Sequence, residues 1–330
     1  MKLLRKLAYP LSLLYGAVVF LRNKAYDRGW LASREFEVPV LCIGNLSVGG
    51  SGKTPMVEWV LRELLPKRRI AVLSRGYKRK SKGFRLVEPG STPEMSGDEP
   101  LQIARKFPGA VVAVDANRQR GIEILVAREH PDLIILDDGF QHRKVRPLRS
   151  VLLTAYGELY PVEPYLPAGN LRDHRSQADR ADLVVVTKCP PGLPEAERGR
   201  IRELLQLQPG QSLAFASLGY GDPIGPDGKT TGWEAFGKTP FTLVTGIARP
   251  EPLVGYLEGM GLSFEHLRFA DHHAFTPGEV RNLRAKGRLL TTEKDAVRLG
   301  DGIGDLWVLP VRHAFSPGDR EVMQGFLSQF

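Results

Sequence analysis

Val40-Leu41-Cys42-Ile43-Gly44-Asn45-Leu46-Ser47-Val48-Gly49-Gly50-Ser51-Gly52-Lys53-Thr54 is a short apolar run that enters a glycine-rich turn and closes on Gly-Lys-Thr. A strand, such a turn and the helix-like stretch that follows from Met56 make a cradle for a nucleoside triphosphate. Glycines let successive backbone N–H groups converge on oxygen atoms, and the helix adds its positive end. Ser47, Val48, Gly49, Gly50, Ser51, Gly52, Lys53 and Thr54 are therefore expected around the phosphates of ATP or GTP. Lys53 is expected on the β- and γ-phosphates and Thr54 on Mg2+. The usual G-x-x-x-x-G-K-[ST] opens with Gly, and Ser47 stands in that place here; the extra Gly49 and Gly50 restore the turn. An ordinary glycine-rich strand-to-helix loop is the plainer alternative.

Composition bounds the rest. With 330 residues, 42% of them hydrophobic and 25% charged, the chain can bury a large core and is long enough for two domains. Its two cysteines, Cys42 in the apolar run and Cys189 beside a Pro-Pro pair, form neither a metal-ligand spacing nor a disulfide framework. A reducing, cytoplasmic setting fits. The net charge of +9 points to an anionic partner, with nucleic acid, phosphorylated small molecules and acidic membranes all eligible.

The N-terminus narrows that choice. Between Lys2, Arg5, Lys6 and Arg22, Lys24, Arg28 lies an uncharged, mostly apolar run, Leu7 to Leu21, interrupted by Pro10. It falls short of the ~20 residues of a straight spanning helix, and no small-residue cleavage pattern follows to mark a signal peptide. A helix lying on an anionic leaflet is expected, with a buried core helix as the alternative.

Further along, strand-like runs alternate with helical stretches, which predicts a parallel α/β architecture. Residues 38–43, 69–74, 110–114, 133–137 and 150–154 form one set of strands. Residues 183–187, 213–217, 241–245, 265–269, 289–292 and 306–310 form a second. The Pro-, Gly- and charge-rich segment 156–177 reads as a linker, so the expected units are 1–30, a membrane-associating helix, 31–155, a nucleotide-binding core, and 156–330, a second, smaller α/β domain.

Chemistry is expected at the carboxyl ends of such strands. Leu133-Ile134-Ile135-Leu136 delivers Asp137 and Asp138, the second half of a P-loop site, where a carboxylate serves Mg2+ or its waters. Ser96-Gly97-Asp98-Glu99-Pro100 puts two carboxylates on a loop and suits a functional group or a solvated turn equally. Asp271-His272-His273 lacks the partners of a metal site, so a relay or general-base partner fits it better.

In order along the chain, Gly44–Pro55, Ser74-Arg75-Gly76-Tyr77, Gly97–Pro100, Asp137–His142, Leu166–Arg172, Phe269–His273 and Thr291–Val297 resemble the tetraacyldisaccharide 4'-kinase family of lipid A biosynthesis. In that family Ser or Thr occupies the place of Ser47. The resemblance implies a P-loop NTPase-like fold: a mostly parallel sheet flanked by helices, with the second domain closing over the active site. It implies transfer of the ATP γ-phosphoryl group to the 4'-hydroxyl of an acylated glucosamine disaccharide 1-phosphate, at the cytoplasmic face of the inner membrane. Asp98 would take the proton of that hydroxyl, His272 would orient Asp98 across a cleft, and Lys53 would assist at the phosphates. Asp137 or Asp138 would share Mg2+ with Thr54. Arg75, His142 and Arg172 are the candidates for anionic groups of the substrate. The expected cofactors are ATP and Mg2+, and the expected partners are the lipid precursor and the membrane, held peripherally or monotopically, with neither nucleic acid nor protein. A competing class is a P-loop switch that hydrolyses ATP or GTP with no sugar acceptor.

Overall fold

The structure, a computed structural model, describes residues 8–330; the basic cluster Lys2, Arg5, Lys6 lies outside the described residues. Thirteen strands are described, β1 (Val40–Asn45), β2 (Ile70–Ser74), β3 (Arg85–Leu86), β4 (Val111–Val114), β5 (Leu133–Asp137), β6 (Arg149–Ala155), β7 (Leu183–Cys189), β8 (Ser212–Tyr220), β9 (Phe241–Thr245), β10 (Phe264–Arg268), β11 (Leu289–Thr292), β12 (Leu306–Leu309) and β13 (Val311–Phe315). The helices that matter to the site are α1 (Tyr9–Asp27), α2 (Lys53–Leu64), α3 (Asp98–Lys106), α4 (Arg118–Glu129), α5 (Glu195–Leu205), α6 (Glu251–Gly259), α7 (Pro277–Arg284), α8 (Glu293–Leu299) and α9 (Pro317–Leu327).

β1 is buried along its whole length, as a central strand covered on both faces must be. Leu41 and Ile43 face a core shared with α2, α3 and α9, whereas Val40 and Cys42 face the helices of the opposite layer. Nine strands form one sheet in the order β13-β8-β7-β6-β1-β5-β2-β4-β3, parallel except at its two ends, where β13 and β3 run antiparallel to their neighbours. The chain leaves β1 for β2 on one side of β1, whereas β6 lies on the other. Such a reversal opens a crevice at the carboxyl ends of the strands, where ligands of α/β sheets bind.

The second sheet is four-stranded and parallel, in the order β10-β9-β11-β12. Its core gathers Phe236, Phe241, Leu253 and Leu257 on one face and Val244, Leu283 and Leu299 on the other. The expected division at 155/156 does not coincide with the break between sheets. β7 and β8 lie beyond it in sequence, yet they extend the large sheet beside β6. The segment 156–177 is a loop that returns to the same sheet, and the chain comes back to that sheet once more through β13. Every strand expected from the sequence is present; β3 and β13 are additional.

α1 packs with its polar side inward. Its buried residues are Ser12, Gly16 and Asn23, while Leu11, Leu13, Leu14, Val18 and Leu21 are exposed. The Asn23 side-chain amide donates to Asp173 at 2.6 Å, the Tyr15 hydroxyl to the Arg172 carbonyl at 3.0 Å, and Ser12 Oγ accepts from the Ala168 N–H at 2.9 Å. Among the described residues no helix is long and apolar enough to cross a membrane.

Candidate active site

The loop from β1 to α2 is fastened from two sides. The Val48 N–H donates to the Asn170 carbonyl at 2.7 Å and the Arg172 N–H to the Leu46 carbonyl at 2.8 Å, so the 165–172 block braces it. On the other side Thr187 Oγ1 donates to the Ser51 carbonyl at 2.9 Å, and His313 Nε2 lies 2.8 Å from the Gly52 carbonyl. Gly52 caps α2 with φ +83°, and a Cβ there would stand 2.8 Å from the His313 ring. Only glycine meets both demands. The carbonyl of Gly52 is thereby held away from the cradle, leaving the N–H groups that open α2 free for phosphate oxygens. Val48, Gly49 and Gly50 are exposed, Ser51 and Thr54 buried.

Beneath the loop, β5 places Asp137 and Asp138 in different environments. Asp138 has φ +52°, a conformation that Asp tolerates better than most residues. The Arg172 guanidinium grips both its carboxylate oxygens and donates to Asn45 Oδ1 at 2.6 Å, while the Lys53 ammonium lies 3.6 Å from it. Burial would raise the Asp138 carboxyl, but Lys53 and Arg172 outweigh it and bring it to about 2. Asp137 is fully buried; Ser74 Oγ donates to one oxygen at 2.9 Å and the other has no partner among the described residues. Burial, reinforced by Glu99 and Asp138, pushes its carboxyl up to about 7.

An orphaned, buried carboxylate oxygen with other acids in its field is what a cation would satisfy. The buried Thr54 and the orphaned Ser51 Oγ belong to the same cradle. Among the described residues no group of three His, Cys, Asp or Glu makes a metal cage. Mg2+ does not need one, because it keeps several waters and takes phosphate oxygens with one or two carboxylates. The donor set therefore fits Mg2+ together with a nucleotide, not alone.

Asp98 opens α3, and His272 follows β10 in the other sheet. Their side chains meet, with His272 Nδ1 3.0 Å from Asp98 Oδ2. Arg298, on α8, donates from Nε to the same oxygen at 2.8 Å and also binds Asp295 and the Gly246 carbonyl, both at 2.9 Å. Lys294 lies 3.1 Å from His272 Nε2. Arg298 Nη2 lies 3.1 Å from His272 Nδ1 as well, and the ring donates to Asp98 when its proton is on Nδ1. Burial favours the neutral form of Asp98, yet the bonds from His272 and Arg298 more than reverse it and hold the carboxyl below its usual range.

The adjacent His273 goes elsewhere, to Glu279 at 3.1 Å, where it steadies the capped start of α7. Arg75 is exposed and His142 half-buried, with His142 Nε2 unpartnered among the described residues. Burial, aided by Arg118 and other cations, keeps that imidazole neutral, at about 4. Arg172 lies beside the loop, on Asp138 and Asn45. Sequence reasoning missed Arg298, Asn45 and His313. Arg298 was detectable in principle, three positions after Asp295 on one helical face; His313 carried no local signal.

A family model described as tetraacyldisaccharide-1-P 4'-kinase matches residues 4–329 of the chain. The tetraacyldisaccharide 4'-kinase of Flavobacterium johnsoniae is 45% identical over 322 residues, covering 96% of this chain and 94% of that protein. That of Bacteroides thetaiotaomicron is 43% identical over 316 residues, covering 90% and 83%. Among solved structures, the "apo" form of LpxK from Aquifex aeolicus in complex with ATP superposes with a TM-score of 0.80 at 30% identity, over 98% of each chain.

Proposed function

The chain belongs to the tetraacyldisaccharide-1-P 4'-kinase family, and from that premise we propose which of its residues carry the ATP-dependent phosphorylation of a lipid A precursor. The acceptor is the 4'-hydroxyl of an acylated glucosamine disaccharide 1-phosphate, and the product is the 1,4'-bisphosphate. One observation carries the assignment of roles: Asp98 and His272, 174 positions apart, meet across the two sheets at 3.0 Å.

The N–H groups of Gly49 to Thr54 and the Lys53 ammonium bind the phosphates. Thr54 with Asp137 or Asp138 would hold Mg2+, which would supply positive charge to the phosphoryl oxygens. Lys53 stands 3.6 Å from Asp138, which places its ammonium between the loop and the acids. Asp98 takes the proton of the sugar hydroxyl as its oxygen bonds to the γ-phosphorus and the bond to the β,γ-bridging oxygen breaks, releasing ADP. A carboxylate is a weak base, but phosphoryl transfer has a loose transition state and asks mainly for position. His272 and Arg298 supply that position. Arg172, Arg75 and His142 face anionic groups, Arg172 those nearest the nucleotide.

The membrane side of the reading rests on α1. A helix that buries Ser, Gly and Asn and exposes Leu and Val needs an apolar surround on its outer face. We assign that surround to the cytoplasmic leaflet of the inner membrane, where a lipid substrate is found and where a net charge of +9 meets anionic headgroups. The test is transfer of radiolabelled γ-phosphate to the tetraacylated disaccharide by wild type and Asp98→Ala. Loss of transfer by at least about a hundredfold with ATP binding retained supports the assignment. Unchanged transfer removes Asp98 from the mechanism, and ATP hydrolysis by wild type without transfer favours the switch.

A further inference from the structure

Lys188, next to last in β7, has a left-handed conformation, φ +57°, which a long side chain adopts only at a cost. The strand is irregular there, its register with β8 shifting between Val186 and Cys189. The twist carries the ammonium onto the phosphate loop, where Lys188 Nζ is the atom nearest the Cβ position of Gly50, at 3.9 Å. Lys188 is half-buried and has no hydrogen bond or ion pair among the described residues. Glu158, an acid within its field, is bonded to Arg249. Burial, opposed by Glu158 and reinforced by Arg249 and Lys53, lowers the pKa of the ammonium. Two cations thus converge on one glycine-rich loop, and of the two only Lys53 makes an ion pair among the described residues, with Asp138.

The side of the loop matters. Asp137 and Asp138 come from β5, on one flank of β1, and Asp98 stands beyond them; β7 lies on the other flank, past β6. The cavity beside the loop continues along β6, past Leu153, Thr154 and Ala155, so a triphosphate with its γ-phosphorus at the acids has room to extend toward β7. We propose that Lys188 is a second nucleotide-binding cation, holding the α- and β-phosphates at the end of the cradle away from the acceptor. This rests on reading the loop as a nucleotide cradle. It explains why a strained, unpaired lysine stands where a small neutral residue would be more stable.

The test uses the full chain with Lys188→Met and Lys188→Asn; asparagine tolerates the left-handed backbone, so that variant keeps the fold while losing the ammonium. Calorimetric titration with ATP and with ADP is expected to show affinity falling about tenfold in both variants, the scale of one charge-assisted hydrogen bond. The KM for ATP should rise in proportion while that for the lipid acceptor stays unchanged, and the unliganded melting temperature of the asparagine variant should not fall. Wild-type affinity for both nucleotides in both variants overturns the proposal, as does a rise confined to the KM of the lipid. If wild type itself binds no ATP, the cradle reading has failed, a different result from either.

Discussion

Asp98 is worth following as a single group. It faces His272 from the loop after β10, Arg298 from α8, Lys294 through the imidazole and, on its own helix, the neighbouring Glu99. As the proposed base it must be ionised to take a proton, so activity is expected above its pKa and is lost as pH falls through it. The His272 and Arg298 bonds hold that pKa below the usual range and push the acid limb to low pH. Arg298→Lys exchanges a planar fork for a single ammonium. We expect the acid limb of kcat to move up by about one pH unit with the KM for ATP unchanged; a pH–rate profile with no shift or a downward one contradicts this. Strain follows the same map. Six non-glycine residues have positive φ among the described residues, and three of them, Asp138, Lys188 and His272, are residues for which we propose a role.

Among the elements, β1, β5 and α2 were legible from sequence because their signals are local. An unbroken apolar strand, a glycine turn and Gly-Lys-Thr lie within one short segment, and the acids of β5 end another. β13 was not legible. Pro310 precedes it and Arg312 and His313 break its apolar pattern, yet it pairs with β8 and brings His313 to Gly52 from 261 positions away. α1 was half legible: its length and basic flanks suggested a surface helix, while only packing revealed which side faces out. Leu14→Ser, Val18→Ser and Leu21→Ser together remove outward side chains that are 64%, 59% and 66% exposed. Co-sedimentation with anionic vesicles is expected to weaken by at least about tenfold with the melting temperature unchanged. Unaltered vesicle binding would show that this face does not meet lipid.

For the whole molecule, the question is what ties the second sheet to the nucleotide. The fully buried Glu58 of α2 takes bonds from Arg62 at 2.9 Å, Gln102 at 2.8 Å and Lys106 at 2.5 Å, and Lys106 also bonds Glu293 at the start of α8. The phosphate-loop helix, the helix bearing Asp98 and the helix bearing Arg298 thus share one ionic cluster. Burial, with Glu58 nearby, raises the Glu293 carboxyl despite Lys106. Lys106→Met leaves Glu58 with two partners and Glu293 without its cation. The expected cost is about 2 kcal/mol in urea unfolding, with kcat falling more than the affinity for ATP, because α3 loses its tether and not the cradle. Equal losses in both would argue for general destabilisation alone.

The amino-acid sequence by itself determined the strand order in time, the phosphate cradle and the acids beside it, since each is written within a few consecutive residues whose backbone conformation and chemistry are local. Tertiary structure alone decided that β7 and β8 extend the first sheet, that Arg298 joins His272 at Asp98, that His313 and Lys188 reach the glycine-rich loop, and that Glu58 ties α2 to α3. Those are contacts between residues up to 261 positions apart, and their energies depend on burial and on neighbours that no stretch of sequence contains.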